Sequence, residues 1–208
     1  CTAVSDEIPQ LAREVFGGRV ELAAAYHRSL ATAAAERGFI GPKEVDRLWE
    51  RHILNCAVIG EALEEGIRIA DIGSGAGLPG VPLAIARPDL NVTLIEPLLK
   101  RSTYLSEVKE ELGLDNVTVV RGRAEEQQGG AFDAVTSRAV APLGKLARWS
   151  LPLVHRGGAM VAMKGASVSE ELERDAADIA AAGGTDAEIF TVGAALEQPT
   201  TLIRIVRR

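Results

Sequence analysis

A glycine-rich loop carries the clearest chemical signal in the chain. Residues 71–80 have the sequence DIGSGAGLPG, which follows a β-branched run and precedes a helical pattern. Glycine lets a backbone turn sharply and approach a ligand closely, because it has no Cβ atom. Four glycines within eight residues exceed what a tight turn requires. The loop therefore predicts a ligand site at the carboxyl end of a strand, with a turn that binds nothing as the alternative.

Two cofactors compete for this loop. Gly75, Gly77 and Gly80 have the spacing G-x-G-x-x-G, which is compatible with NAD. Asp71 stands two residues before Gly73, where it can accept a hydrogen bond from the ammonium of an amino-acid ligand but would face a pyrophosphate poorly. Two prolines around the start of the next helix also remove N–H donors that a pyrophosphate needs. S-adenosylmethionine has an ammonium group and no phosphate, so the loop favours it.

The ends of the next two strands supply further candidates for cofactor binding. Glu96 ends the second predicted strand, where a carboxylate can accept hydrogen bonds from both ribose hydroxyls. Ala124 and Glu125 follow the third strand, at the position that borders the adenine in this type of sheet. The alternatives are a solvated acid at Glu96 and a surface loop of mixed charge at the third strand.

Two cations end the fourth and fifth strands. Arg138 is predicted to be the catalytic residue, because its planar guanidinium suits guanine N7, guanine O6 and a methionine carboxylate. A strand-end salt bridge is the alternative. Lys164 could hold an RNA phosphate, or it could be a solvated lysine at a strand end.

The sequence lacks the features of two other methyl transfers. No Asn/Asp-Pro-Pro-aromatic loop, usual in enzymes that act on adenine amines, follows the fourth strand. Methylation of a pyrimidine C5 needs a cysteine nucleophile, whereas Cys56 lies in a helical apolar stripe and is predicted to be core. Guanine N7 carries no proton, so its methylation needs alignment and no general base. His52 is expected to be a packing or capping residue.

Charge divides the chain unevenly. The net charge of -6 argues weakly against a nucleic-acid substrate. Residues 97–165 nevertheless hold ten Lys/Arg against seven Asp/Glu, and this segment contains the predicted site. Its basic rim favours RNA and comprises Arg121, Arg123, Arg138, Lys145, Arg148 and Lys164. Of these, Arg123, Arg148 and Lys164 are predicted to bind the substrate.

Composition narrows the remaining classes. The 208 residues are 47% hydrophobic and 25% charged, which is typical of a globular protein with a full core. No apolar run reaches the roughly 18 residues of a membrane span, and no secretory signal is evident. Two cysteines, Cys1 and Cys56, are too few for a disulfide framework or a zinc cluster. We therefore expect no membrane, no metal and a cytoplasmic location.

The patterns of the chain predict an α/β fold with N-terminal helices. Residues 1–66 form a helical extension, and residues 67–208 alternate between strands and helices, which predicts a mostly parallel Rossmann-like sheet. The predicted strands are 67–72, 92–95, 117–120, 132–137, 159–163, 188–192 and 201–206. The helices are 81–87, 100–112, 142–153 and 169–182. Residues 193–200 are too short for a parallel crossover, so the last two strands should be antiparallel.

Several of these motifs together resemble a known family. Residues 71–80, Arg123-Ala124-Glu125, Ser137-Arg138-Ala139 and Lys164-Gly165 are similar to the 16S ribosomal RNA guanine-N7 methyltransferases. Residues 51–55 (RHILN) resemble the N-terminal signature of that family, although Asn55 stands where many members have aspartate.

The resemblance implies a class I S-adenosylmethionine-dependent methyltransferase with a seven-stranded sheet. It implies a bacterial enzyme that methylates N7 of one guanine in the decoding region of 16S rRNA, acting on the RNA or the small ribosomal subunit. It also implies that the cofactor contacts Gly73, Leu78, Ala124, Glu125 and Arg138. We expect a monomer. The alternatives are a methyltransferase acting on a small molecule or protein, and a nucleotide-binding regulator.

Overall fold

A single seven-stranded sheet organises the computed structural model, which describes residues 7–138 and 141–208. Two residues named in the sequence analysis lie outside the described residues: Cys1, and Ala139 of the motif Ser137-Arg138-Ala139. The strands are β1 (Arg68–Ile72), β2 (Asn91–Glu96), β3 (Val117–Arg121), β4 (Phe132–Arg138), β5 (Val154–Met163), β6 (Gly184–Val192) and β7 (Thr200–Arg207). Their order is β3-β2-β1-β4-β5-β7-β6. Among these described strands, β7 alone runs opposite to the direction of the other six, so the predicted sheet, with its antiparallel C-terminal strand, is confirmed.

Helical segments precede the sheet and connect its strands. The α-helices are α1 (Gln10–Phe16), α2 (Val20–Ser29), α3 (Asn55–Ala57), α4 (Gly80–Ala86), α5 (Leu99–Leu112), α6 (Leu143–Ser150), α7 (Val168–Arg174) and α8 (Ala176–Ala181). Two π-helical segments, Leu30–Ala34 and Leu48–Leu54, and the 3-10 segments Gly17–Arg19, Pro42–Arg47 and Val58–Ala62 complete the N-terminal region. Two more 3-10 turns, Ala124–Glu126 and Leu151–Leu153, follow β3 and α6.

Alternating strand side chains divide the core between the two faces of the sheet. Ile69 and Leu94 point to the face covered by the N-terminal helices, α4 and α5. Ala70 and Ile95 point to the face covered by α6 and α8. Both faces are apolar because a mostly parallel sheet carries helices on each side. The N-terminal helices share one apolar cluster with the sheet, and the predicted boundary near residue 66 stays a prediction.

Chain direction places the functional site. From β1 the chain adds β2 and β3 on one side, and it then crosses to β4 on the other side. Loops at the carboxyl ends of β1 and β4 therefore diverge and leave a crevice, which is where such sheets bind ligands. The glycine loop starts at this edge, and Glu96 and Arg138 are the last residues of β2 and β4 there.

The bounds of some elements differ from prediction for identifiable reasons. β5 begins five residues earlier than predicted, at Val154, because an irregular pairing with β4 accommodates its two glycines. The predicted helix 169–182 is interrupted at Asp175. The carboxylate of Asp175 accepts hydrogen bonds from Arg174 and from the backbone of Gly144, which draws it towards α6.

Candidate active site

Glycine has two different roles in the loop after β1. Gly75 has a φ of 58°, and a Cβ atom there would meet no atom of the described residues within 4 Å, so this residue faces open space among them. At Gly80 a Cβ atom would collide with Leu94 and lie 2.7 Å from Asp71 Oδ2. Gly75 therefore leaves room beside the crevice, whereas Gly80 allows helix α4 to pack closely on the sheet.

A tyrosine from the N-terminal region supports the same loop. Tyr26, on α2, is fully buried and donates from its hydroxyl to the carbonyl of Ala76 at 2.7 Å. A Cβ atom on Gly77 would lie 3.0 Å from that hydroxyl. The loop is thus held from behind by an element that the sequence did not connect with it, and Leu78 is buried beside it.

Asp71 closes the loop on itself. Its side chain is fully buried, and Oδ2 accepts a hydrogen bond from the Gly80 amide at 2.9 Å. Among the described residues, Oδ1 has no hydrogen-bond partner. Burial raises the pKa of Asp71 to about 7, while the Gly80 amide, Ser74 and the charge of Arg138 act in the opposite direction. A buried carboxylate oxygen without a partner is costly, and an ammonium donor would relieve that cost.

Glu96, the predicted ribose acceptor, has both carboxylate oxygens fixed. Oε1 accepts from the Gly75 amide at 3.0 Å, and Oε2 accepts from the Leu98 amide at 2.7 Å. The residue is only 2% exposed, so it is not the solvated acid of the alternative interpretation. Each carboxylate oxygen still has acceptor capacity for a further donor, which is the geometry that two neighbouring hydroxyls require.

A cavity of about 380 Å³ opens beside Glu96. This volume lies in the range of pockets that hold small ligands. Its walls include four predicted cofactor residues, one predicted substrate residue and one residue that was not predicted: Gly73, Glu96, Ala124, Glu125, Arg123 and Trp149. The other predicted site residues lie outside this lining: Asp71, Gly75, Gly77, Leu78, Arg138, Arg148 and Lys164.

Trp149 is one of the wall residues that sequence reasoning missed. It lies on α6, is half-buried, and faces the same cavity as Ala124 and Glu125. Lys145, one helical turn earlier, places its ammonium 4.9 Å from the centre of the indole ring, which is within cation–π distance. The place of Trp149 in the predicted helix after the fourth strand was the sequence signal that could have identified it as a wall residue.

Arg138 is held by a histidine from the N-terminal region. Its Nη1 donates to Nδ1 of His52 at 2.7 Å, and Nε2 of His52 lies 2.6 Å from Oε2 of Glu44. The His52 side chain is 13% exposed, and this burial is the main cause that lowers the pKa of His52 below its usual 6.5. His52 was expected to pack or to cap a helix, and the structure places it beside the predicted catalytic residue.

Two predicted substrate contacts differ in exposure. Arg123 and Arg148 are exposed, as an RNA contact requires. The side chain of Lys164 is only 7% exposed, and its ammonium lies 2.9 Å from Glu171 Oε1 and 3.0 Å from the Ala141 carbonyl. The interpretation of Lys164 as a solvated lysine is therefore wrong. The ion pair with Glu171 also does not support a phosphate contact, because α7 already supplies its counter-ion.

Cys56 has the environment of a core residue. It is fully buried, and burial raises the pKa of its thiol to about 12. The thiolate that a C5 methyl transfer needs is therefore disfavoured. This agrees with the helical apolar stripe in which Cys56 lies in the sequence.

Comparison with known proteins decides the family. The family model described as rRNA small subunit methyltransferase G matches residues 19–200. The chain belongs to this family. A protein of Corynebacterium glutamicum named Ribosomal RNA small subunit methyltransferase G is 72% identical over 204 residues, which cover 96% of this chain and 92% of that protein. A protein of the same name from Corynebacterium diphtheriae is 68% identical over 204 residues and has the same coverage of both chains.

Solved structures agree with the fold of this family. A crystal structure of a putative S-adenosyl-L-methionine-dependent methyltransferase from Methanococcus maripaludis superposes with a TM-score of 0.60. It is 16% identical and covers 79% of this chain and 91% of its own. The chain is thus a class I methyltransferase whose methyl donor is S-adenosylmethionine, as the loop predicted, and the NAD interpretation is not supported.

The residues present fit this donor. In the part of the chain that the structure describes, Asp71 has a buried oxygen without a partner that an ammonium group could bond, Glu96 has two fixed acceptors beside a cavity, and Gly75 faces open space. Within residues 7–138 and 141–208, no three His, Cys, Asp or Glu side chains are placed to hold a metal ion. No helix in the same ranges has the length and apolar character needed to cross a membrane.

Proposed function

We propose that this methyltransferase transfers the methyl group of S-adenosylmethionine to N7 of a guanine in the decoding region of 16S rRNA. The observation that supports it best is the position of Arg138. Its guanidinium is fixed at the carboxyl end of β4, next to β1, the strand that leads into the glycine loop. Family membership supports rRNA as the substrate class. The guanine, its atom and its position in the RNA come from the resemblance described above.

In this proposal the cavity, Glu96 and Asp71 each hold one part of the donor. The cavity between Ala124, Glu125 and Trp149 holds the adenine, and the two fixed oxygens of Glu96 accept hydrogen bonds from the ribose. Oδ1 of Asp71 accepts from the ammonium of the amino-acid end. When bound, S-adenosylmethionine supplies a methyl group on a sulfonium, which is already a strong electrophile.

The side chains near Arg138 support a reaction without a general base. Asp71 is buried and bonded to Gly80, and His52 accepts a hydrogen bond from Arg138. With the donor bound, Oδ1 of Asp71 accepts from its ammonium in this proposal, so neither Asp71 nor His52 is left to take a proton from a nucleophile. Guanine N7 suits such a site, because its lone pair lies in the ring plane and carries no proton. Rate acceleration then comes from alignment of N7 with the methyl group, and Arg138 is the proposed contact to the guanine edge or to the methionine carboxylate.

Exposed arginines provide the proposed RNA contacts. Arg123 borders the cofactor cavity, and Arg148 lies on the exposed side of α6. Cations in these positions can position a phosphate backbone beside the methyl donor. We further propose that a monomer acts on the RNA or on the small ribosomal subunit in the cytoplasm, and sedimentation of the protein tests the monomer.

A substrate without the target atom tests the proposal. The protein is incubated with radiolabelled S-adenosylmethionine and 16S rRNA fragments that contain either guanosine or 7-deazaguanosine. We expect label to enter the guanosine RNA only, since 7-deazaguanine has no N7. Equal labelling of both RNAs would exclude N7 as the acceptor. Absence of labelling on any rRNA, with turnover on a small molecule, would favour the alternative substrate class.

A further inference from the structure

The guanidinium of Arg138 is fixed by a residue distant in sequence. Arg138 ends β4, whereas His52 lies 86 residues earlier, in the π-helical segment Leu48–Leu54. The contact joins the N-terminal region to the crevice of the sheet. Arg138 is half-buried, and a long side chain at that edge has several rotamers available unless a neighbour selects one.

The three side chains permit one arrangement of protons. A guanidinium only donates hydrogen bonds, so Nδ1 of His52 must be an unprotonated acceptor. The ring proton is then on Nε2, which lies 2.6 Å from Oε2 of Glu44 and donates to it. The chain therefore runs from Arg138 through a neutral imidazole to the Glu44 carboxylate. Glu44 comes from a separate element, the 3-10 segment Pro42–Arg47.

We propose that His52 is a positioning residue, which together with Glu44 orients the Arg138 guanidinium for methyl transfer and releases it when the imidazole is protonated. The inference rests on the proposed function, in which Arg138 acts on the guanine or on the methionine carboxylate. Protonation would place an N–H on Nδ1, opposite the donors of Arg138. The hydrogen bond would be lost and two positive charges would face each other at 2.7 Å.

The surrounding charges set the direction of the pH response. Arg138 on β4 and Arg51 on the same helical segment both disfavour the charged imidazole, as burial does most strongly. The hydrogen bond to Glu44 favours the charged form. The net effect lowers the pKa of His52 below 6.5. Arg138 is therefore held at neutral pH, and its release occurs on the acid side of that value.

A general base at His52 would show the same requirement for a neutral ring, so the variants must separate the two roles. In His52→Asn, Oδ1 takes the place of Nδ1, because both atoms are bonded to Cγ. The acceptor for Arg138 is kept, but no group remains that titrates or removes a proton. A positioning role predicts that this variant keeps its kcat at pH 7.5 within about threefold. The same role predicts a loss of about tenfold or more in His52→Ala, because small displacements of a reacting group are costly.

The first test does not depend on activity. Nuclear magnetic resonance of the ligand-free protein reports the protonated nitrogen and the titration of each imidazole. We expect His52 as the Nε2–H tautomer, with a pKa that rises in Arg138→Ala and falls in Glu44→Gln. His155 is the matched control, since it also pairs with a carboxylate, that of Asp133, and is exposed. An Nδ1–H tautomer, or a titration unchanged in both variants, would overturn the proposal.

The second test measures methylation of 16S rRNA at saturating S-adenosylmethionine across pH 5–8. The kcat of the wild type should fall at acid pH. This fall should be absent in His52→Asn and present in His155→Asn. Melting temperatures equal to that of the wild type exclude unfolding of the variants. Wild-type protein that is inactive on rRNA would refute the proposed function, while the tautomer result still decides the inference. An active wild type with equal kcat and KM in His52→Ala, or with an unchanged limb in His52→Asn, would refute the inference alone.

Discussion

Replacement of Glu96 by Gln tests the ribose assignment at the most constrained point of the site. Both carboxylate oxygens already accept backbone N–H groups, from Gly75 at 3.0 Å and from Leu98 at 2.7 Å. An amide has only one oxygen, so its NH₂ group must face one of these donors and cannot accept from a ribose hydroxyl. The variant therefore loses one hydrogen bond to a charged acceptor and leaves a buried N–H without a partner.

The size of the effect on binding follows from the lost hydrogen bond to the ribose. A hydrogen bond to a charged group contributes about 1.5–3 kcal/mol, which weakens binding roughly ten- to 150-fold. Isothermal titration with S-adenosylhomocysteine measures the change, and Glu126→Gln is the matched control, because it removes the same charge from an exposed neighbour of the cavity. An unchanged dissociation constant in Glu96→Gln would place the ribose elsewhere.

Further predictions concern the loop, the buried acid, the RNA surface and Arg138. Gly75→Val should abolish binding of S-adenosylhomocysteine in calorimetry, because a branched side chain would fill the open space there and strain a φ of 58°; retained affinity would contradict the loop assignment. A buried acid whose pKa is raised to about 7 binds more protons in the folded than in the unfolded state, so it removes stability as pH rises from about 4 to 7. The melting temperature of the ligand-free Asp71→Asn variant should consequently depend less on pH over that window than that of the wild type. The same pH dependence in both proteins would argue against the raised pKa. Arg148→Glu should weaken RNA binding in filter assays and reduce its salt dependence, with the affinity for S-adenosylhomocysteine unchanged. Arg138→Lys keeps the charge but loses the planar fork, so turnover should fall strongly at unchanged melting temperature; full activity would remove Arg138 from the site.

The order of elements was largely predictable from local pattern. Short β-branched runs separated by helical stretches indicated the parallel sheet, and the short link after residue 192 indicated the antiparallel hairpin. The glycine loop and Glu96 could be assigned to the candidate site because they lie at the ends of predicted strands. Such features depend on neighbours in sequence, which is why sequence analysis could find them.

Contacts between distant residues were not predictable. No local signal joins His52 to Arg138, because their contact requires both the N-terminal segment and β4 to be in place. The ion pair of Lys164 was not predictable for the same reason. Its partner, Glu171, lies on α7 and reaches the Lys164 ammonium only after the chain has turned into that helix. The second role of Glu96, as acceptor for Gly75, depends on the pairing of β1 with β2.

Asn55 shows the same limitation. The sequence assigned no role to this position, where many members of the family have aspartate. In the structure its side-chain oxygen and its carbonyl lie 3.3 and 2.8 Å from the hydroxyl of Thr200, at the start of β7. A neutral residue suits this contact with the sheet, because a hydroxyl donor needs only an oxygen acceptor.

Modified nucleosides in 16S rRNA provide the most direct test of the proposed function. The rRNA is isolated from cells with the gene, without it, and with the gene restored as wild type or as Arg138→Lys, and is digested and measured by mass spectrometry. We predict that 7-methylguanosine from one decoding-region fragment disappears without the gene, returns with the wild type and remains largely absent with Arg138→Lys. An unchanged amount of 7-methylguanosine in that fragment after deletion would contradict the assignment of guanine N7 as the acceptor.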